Sequence, residues 1–323
     1  MVELGYTLSS EEFPPRELVK QAQRAEELGF TFALISDHFH PWLDSQGQSP
    51  FVWSTLGAIA QATSKQRVGT GVTCPLVRYH PAIIAQAAAT VASLFEGRFF
   101  LGIGAGEALN EHITGQHWPP ISIRHEMMRE AIGLIRKLWQ GDYVTEHGRY
   151  YTVEEARIYT LPETPPDIAI AAAGPNAAKL AGELGDALVS TAPDAETVQA
   201  FLANGKNPNR PRYAQMTICY GPNEQQAKEL ALKMWGYTAL QGQISQELDI
   251  PEFFEKAMSV VTADEVAKSI VYGPDPEPIH KQIQAYADAG FSHVYIHQVG
   301  DDQEGFFKFA EKELLPAFAT VAA

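Results

Sequence analysis

The sequence predicts one (β/α)8 barrel, and three observations carry that prediction. Apolar runs of strand length alternate with longer helical stretches eight times along the chain. The 323 residues exceed the roughly 250 that such a barrel needs, and the surplus falls in two irregular stretches, 143–160 and 241–276. No linker divides the chain: Asn204–Arg212, with its two prolines, is short enough to be a loop. A doubly wound fold in two domains is the alternative and would need such a linker. One domain over 1–323 is expected.

In order, Glu3–Thr7 reads as the first strand. Ser10, Glu11 and Glu12, followed by Pro14 and Pro15, announce a helix to Leu28 that Gly29 closes. Phe32–Ser36 is a second strand, Phe51–Ala62 a second helix, Arg67–Val72 a third strand and Pro81–Phe95 an alanine-rich helix. Arg98–Ile103 is the fourth strand. Ser122–Gln140 follows as a helix, its apolar residues Met127, Met128, Ile132, Ile135 and Leu138 set at helical period. Tyr143–Tyr159 interrupts the alternation as an excursion over the surface. Strands then resume at Asp167–Ala171, Ala187–Ser190, Gln215–Cys219 and His293–Gln298, with helices between them and a last helix over Gln303–Phe318. The stretch 241–276 reads as short helical pieces.

Composition narrows the function. Hydrophobic residues make up 45% of the chain and are spread along it, so a sizeable core can form. A net charge of −15 argues against nucleic acid and anionic membrane surfaces as partners. The two cysteines, Cys74 and Cys219, lie far apart and in no metal-ligand spacing. With no basic-then-apolar leader and no apolar run of about 18 residues, a cytoplasmic location is expected.

In a barrel, side chains just after each strand converge on one mouth. After strand two come Asp37, His38, His40 and Trp42, and after strand three Thr73-Cys74-Pro75. After strand four comes Gly104-Ala105-Gly106-Glu107-Ala108-Leu109-Asn110-Glu111, after strand five Ala172-Ala173-Gly174-Pro175-Asn176, and after strand six Thr191. Each has a plain structural reading: a polar loop with satisfied histidines, glycines for tight turns at a rim, a tight turn into a helix. Each also has a chemical one. The run Gly102-x-Gly104-x-Gly106 opens a loop and not a helix, which weakens it as a dinucleotide fingerprint. Glu107 beside backbone without Cβ would suit a flat ligand, and Ala172–Asn176 leading into a helix would suit a phosphate.

Together, Ser36–Trp42, Thr73-Cys74-Pro75 with Arg78-Tyr79, and Gly104–Glu111 resemble the bacterial luciferase-like barrel enzymes that use the deazaflavin coenzyme F420. The branch resembled contains F420-dependent glucose-6-phosphate dehydrogenase and F420-dependent secondary alcohol dehydrogenase. The likeness runs through nearly the whole chain, strongest over 1–140. It implies coenzyme F420 as cofactor, hydride transfer between a CH–OH carbon and C5 of the deazaflavin, no metal, and a homodimer. By the same resemblance, Asp37 contacts the coenzyme head and His38 is the acid/base at the substrate carbinol. Trp42 walls the substrate pocket, and Glu107 is a second acid/base near the ring. Cys74, Ala105, Gly106 and Asn110 line the coenzyme, with Ala173, Gly174, Asn176 and Ala177 around its phosphate and tail. A cis non-prolyl peptide is implied at Gly71-Val72, behind the deazaflavin. The residue types suit this chemistry: an imidazole titrates near neutrality, and a carboxylic acid in an apolar crevice keeps its proton.

The sequence also departs from its relatives. Sugar-phosphate members hold the phosphate with a threonine, two lysines and an arginine. Thr191 and Lys256 fall at matching places, but the second lysine is Asp194 and the arginine region reads His280-Lys281. An aspartate about 4 Å from a phosphate costs a few kcal/mol at an effective dielectric of about 20. The substrate is therefore open between a small alcohol or ketone and a sugar, phosphorylated or not. An FMN-dependent monooxygenase of the same superfamily is one alternative. A metal-dependent barrel hydrolase is another, since Asp37, His38, His40 and Glu107 superficially form a ligand set; a non-catalytic ligand-binding barrel is a third. His40 has no role in this reading.

Overall fold

The computed structural model describes residues 2–240 and 242–318. Eight parallel strands close on themselves: β1 (Glu3–Leu8), β2 (Phe32–Ile35), β3 (Arg67–Thr70), β4 (Phe99–Ile103), β5 (Asp167–Ala171), β6 (Ala187–Ser190), β7 (Arg212–Cys219) and β8 (His293–Gln298). Each pairs with the next, and β8 returns to β1 with Tyr6 opposite Ile296. This is a (β/α)8 barrel. Side chains alternate across its wall. Phe32, Leu34, Phe100, Val189, Tyr213 and Tyr295 fill the inside, while Ile35, Leu101, Ile103, Ile168 and Ile170 pack outward under the helices. Phe100 stacks on Tyr213 at 4.8 Å, and Gly69 makes room for it, since a Cβ there would sit 2.3 Å from the Phe100 ring. The centre is thus plugged with aromatics, leaving the C-terminal mouth for ligands.

Four differences from the expected elements matter. The first helix begins at Pro15, not near Ser10, and the Ser10–Phe13 segment turns down into the barrel mouth. Strand β3 ends at Thr70; the Gly71–Val72 peptide is cis, and Thr73 rejoins the sheet by a bridge to Ile103. Strand β7 starts at Arg212, because that segment is flanked by both β6 and β8 and pairs with each. The surface excursion is an antiparallel hairpin, Val144–His147 with Thr152–Ala156. Its turn is fastened by Glu130, which accepts the N–H groups of Tyr150 and Tyr151.

The second insertion forms short helices, Ile244–Glu247, Pro251–Met258 and Ala263–Val266, then Val271–Tyr272, which extends the sheet beside β7. Gln241, at its start, lies outside the described residues. Phe254, Val266 and Ile270 join Leu109, Trp235 and Tyr237 in a small apolar cluster over the mouth, with Trp42 against it. Among the described residues no helix is long and apolar enough to cross a membrane.

Candidate active site

A cavity of about 860 Å³ opens at the C-terminal end of the strands, a volume within the usual range for small-molecule sites. His38, Trp42, Gly71, Val72, Cys74, Ala105, Gly106 and Glu107 line it, as do Ala173, Gly174, Asn176, Ala177 and Thr191. Asp37, Asn110, Lys256 and His280 do not.

His38 and a residue the sequence did not single out form the chemical centre. Because Ser10–Phe13 turns inward, Glu11 is buried with its Oε1 3.2 Å from His38 Nε2. Its Oε2 accepts the Ser36 hydroxyl at 2.6 Å and the Ser9 hydroxyl at 3.1 Å. On the other side of the imidazole, Asn110 Oδ1 accepts the N–H groups of Phe39 and His40 at 2.8 and 3.2 Å. That orientation aims Asn110 Nδ2 at His38 Nδ1, 3.1 Å away, while the His40 carbonyl lies 3.1 Å from the same nitrogen. Nδ1 thus has a donor for its lone pair and an acceptor for its proton. The ring can gain and lose a proton without moving, as an acid/base needs. Asn110 and His40 therefore act by holding His38. His40 itself is anchored by Nδ1 on the Leu109 carbonyl at 2.9 Å and stacked on His112.

Glu12, next along the turn, is also buried. Its Oε1 meets His297 Nε2 at 3.0 Å and Trp235 Nε1 at 2.9 Å, and its Oε2 accepts the Gly300 N–H at 2.9 Å. Burial pushes its carboxyl up, but His297 and these hydrogen bonds outweigh it and hold the group below the usual range. Trp42 stacks on Tyr237 at 4.6 Å and approaches His38 at 5.0 Å, closing the cavity above the imidazole.

Asp37 turns away from the cavity. Its carboxylate accepts the Thr73 hydroxyl at 2.8 Å and pairs with Arg78 at 3.1 Å. Arg78 also lies 3.5 Å from Glu111, which accepts the Arg78 N–H at 2.7 Å. Burial raises Glu111 to about 7, against the pull of Arg78. This buried trio ties the segments after β2, β3 and β4 together. The coenzyme contact expected of Asp37 is replaced by that internal tie, because the residue follows a strand whose next side chain, His38, takes the inward position.

Opposite His38 the wall is nearly all main chain. Gly71–Val72, Gly104–Gly106 and Ala171–Gly174 form a shelf with few side-chain atoms. Gly106 has φ +74, and a Cβ there would meet Cys74 Sγ at 2.5 Å. Beneath it, fully buried Arg124 donates to the Gly106 carbonyl at 2.9 Å and the Ala105 carbonyl at 3.3 Å, and reaches Gln246 Oε1 at 3.2 Å. Space above Gly174 is open, and the helix Pro175–Leu184 begins there with its first N–H groups free of carbonyl partners. Half-buried Glu107 stands at the edge of this shelf. A flat, tailed, anionic ligand fits such a surface, and burial keeps the Cys74 thiol below it protonated.

The expected phosphate grip is not assembled. Lys256 is exposed and paired with Glu252 on its own helix. His280 Nε2 bonds the Glu313 carbonyl at 2.9 Å. Asp194 caps the helix Ala195–Ala203, accepting the Glu196 and Thr197 N–H groups, so it points away from the cavity and only Thr191 stands at the rim. Nor do Asp37, His38, His40 and Glu107 converge: among the described residues no three His, Cys, Asp or Glu side chains are placed to hold a metal ion.

A closed parallel barrel with a buried His–Glu pair facing a glycine-rich shelf at its C-terminal mouth has the make-up of a barrel enzyme. The chain belongs to the luciferase-like monooxygenase family, whose profile matches residues 1–293. It is 38% identical to the F420-dependent glucose-6-phosphate dehydrogenase of Mycolicibacterium gilvum, over 98% of this chain and 97% of that one. With the Mycobacterium tuberculosis protein of the same name it shares 36% over 98% and 97%. Among solved structures, an F420-dependent secondary alcohol dehydrogenase in complex with an F420-acetone adduct superposes with a TM-score of 0.91 at 31% identity, covering 98% of both chains. The F420-dependent tetrahydromethanopterin reductase of Methanopyrus kandleri, at 22% identity and a TM-score of 0.76, shares the fold.

Proposed function

We propose that this chain is a coenzyme F420-dependent dehydrogenase that oxidises a CH–OH carbon, a single-domain barrel enzyme. The observation that carries the reading is the His38–Glu11 pair facing a main-chain shelf across one cavity. The similarity to proteins named as F420-dependent dehydrogenases supports it. F420, when bound, supplies a deazaflavin ring that takes up or returns a hydride. The shelf residues Gly71, Val72, Cys74, Ala105 and Gly106 would hold the ring, and Ala173–Ala177 with the helix N-terminus would hold the phosphate and tail. His38 takes the carbinol proton, and the imidazolium is stabilised by the Glu11 carboxylate 3.2 Å from Nε2 and by the His40 carbonyl at Nδ1. Glu107, whose side chain has no protein partner among the described residues, would serve as the second acid/base at the edge of the shelf. Trp42 and Tyr237 exclude water above His38.

The test is F420 fluorescence titration beside FMN, followed by coenzyme reduction assays. F420 should bind and FMN should not. His38→Ala and Glu107→Gln proteins should bind F420 but reduce it slowly; wild-type turnover in either would remove that residue from the chemistry. Tight FMN binding would favour the monooxygenase reading instead. A cytoplasmic location belongs to the same proposal and is supported by two free, buried cysteines. So does a homodimer, supported by exposed Phe51, Ile83 and Leu94 on and beside two early helices; light scattering on the purified protein decides it.

A further inference from the structure

No lysine or arginine lines the cavity among the described residues. The nearby cations are engaged elsewhere: Arg78 by Asp37 and Glu111, Arg124 by the Ala105 and Gly106 carbonyls, Lys256 by Glu252. The Glu11 carboxylate beside His38 would repel a phosphate placed next to the reacting carbinol.

Two buried polar atoms on residues of the cavity lining meanwhile lack a partner among the described residues. They are Thr7 Oγ1 and His297 Nδ1, both just beneath the cavity floor. They are neighbours, because the register that sets Tyr6 opposite Ile296 brings Thr7 beside His297, and His297 in turn lies opposite Thr217, another lining residue. This polar floor is continuous with the proton-transfer pair. The Ser9 hydroxyl lies 3.1 Å from Glu11 and 3.2 Å from Glu12, and Glu12 holds His297. Buried polar atoms are normally paired with protein, water or a bound molecule, so two unpaired ones at the floor of a ligand cavity offer partners to a ligand's hydroxyls.

We propose that the substrate is an uncharged, polyhydroxylated molecule, a free sugar in its hemiacetal form or a polyol. Its reacting carbinol meets His38, and its neighbouring hydroxyls pair with Thr7, His297 and Thr217. The step would be a two-electron oxidation: the carbinol hydrogen would leave with its bonding pair as hydride to the bound deazaflavin, the O–H proton would go to His38, and the C=O bond would form. This inference rests on the dehydrogenase reading.

The experiment offers the F420-loaded protein glucose, mannose and galactose, their 6-phosphates, sorbitol, and 2-propanol, and follows loss of oxidised coenzyme. At least one free sugar or polyol should exceed every 6-phosphate and 2-propanol in kcat/KM by about tenfold or more. F420 binding with preferred turnover of a 6-phosphate or of 2-propanol, or with no turnover of any free sugar or polyol, would overturn the proposal alone. Failure to bind F420 would overturn the dehydrogenase reading and this inference with it. Thr7→Val keeps the side chain's shape and removes a hydroxyl without a partner among the described residues, so folding is retained. It should raise KM for the preferred sugar about tenfold and leave F420 affinity unchanged; an unchanged sugar KM would overturn the assigned contact.

Discussion

The two walls of the cavity are made of opposite materials. Where β1, β2 and β8 end, Ser9, Glu11, Glu12, Ser36, His38 and His297 crowd together, buried and hydrogen-bonded into one chain. Where β3, β4 and β5 end, Gly71, Gly104, Ala105, Gly106, Ala173 and Gly174 present little but main chain. Titratable groups are useful only where a proton must move; a flat ring needs contact and no competing side chain. The contrast therefore separates the part of the mouth that carries the His38 chemistry from a part that, Glu107 apart, positions a reactant.

The largest break should come in the charged wall. His38→Ala removes the acid/base, and the coenzyme reduction rate should fall by about 10²–10⁴-fold with F420 affinity nearly intact. Glu11→Gln keeps the shape but removes the charge that stabilises the imidazolium, so a smaller loss, about 10²-fold, is expected; rapid-mixing kinetics would check both. The opposite pattern should follow on the shelf. Gly106→Ala places a Cβ against Cys74 at φ +74, at a cost of about 1–2 kcal/mol in a left-handed conformation. F420 affinity should drop about tenfold while the rate at saturation changes little, and an unaltered affinity would dissolve the comparison.

The tie behind both walls adds a pH signature. Glu111 is raised to about 7 by burial, above its unfolded value near 4.5. The native state therefore binds the extra proton between those values, and stability falls as pH rises through about 7. At about 1.4 kcal/mol per unit, the loss has an upper bound of about 3 kcal/mol. Glu111→Gln should flatten the dependence of Tm on pH over that window; an unchanged slope would place the titration elsewhere. The smallest effect is expected at Lys256→Ala, where only an exposed pair of about 0.2–1 kcal/mol is lost and substrate KM should not move.

The barrel was legible because buried parallel strands such as Phe32–Ile35 and Ile168–Ala171 are uninterrupted apolar runs separated by amphipathic helices. The shelf was legible in its small residues. The charged wall was read only in part. Glu11 and Glu12 follow Ser10 and precede two prolines, the pattern of a helix start, and nothing local says that the helix waits until Pro15 while both carboxylates drop into the mouth. His297 carried a usable signal: Tyr295 faces inward, so the alternation of β8 puts His297 on the same side one step nearer the mouth. Asp37 misled in the other direction, since its neighbour's position on the same turn sends its side chain toward Arg78. For Lys256 and His280 nothing local in the sequence shows that one is exposed and paired with Glu252 and the other held by the Glu313 carbonyl; only tertiary packing reveals it.

Arg124 has a practical consequence for redesign. One guanidinium carries both the carbonyls of the shelf and Gln246 in the segment over the mouth. Loosening that corner to admit bulkier molecules would loosen the seat of the ring as well, so substrate scope and coenzyme retention cannot be tuned separately there. Leu240 and Ile270 line the cavity yet take no part in those bonds, and they are the positions at which the mouth can be widened with the seat left alone.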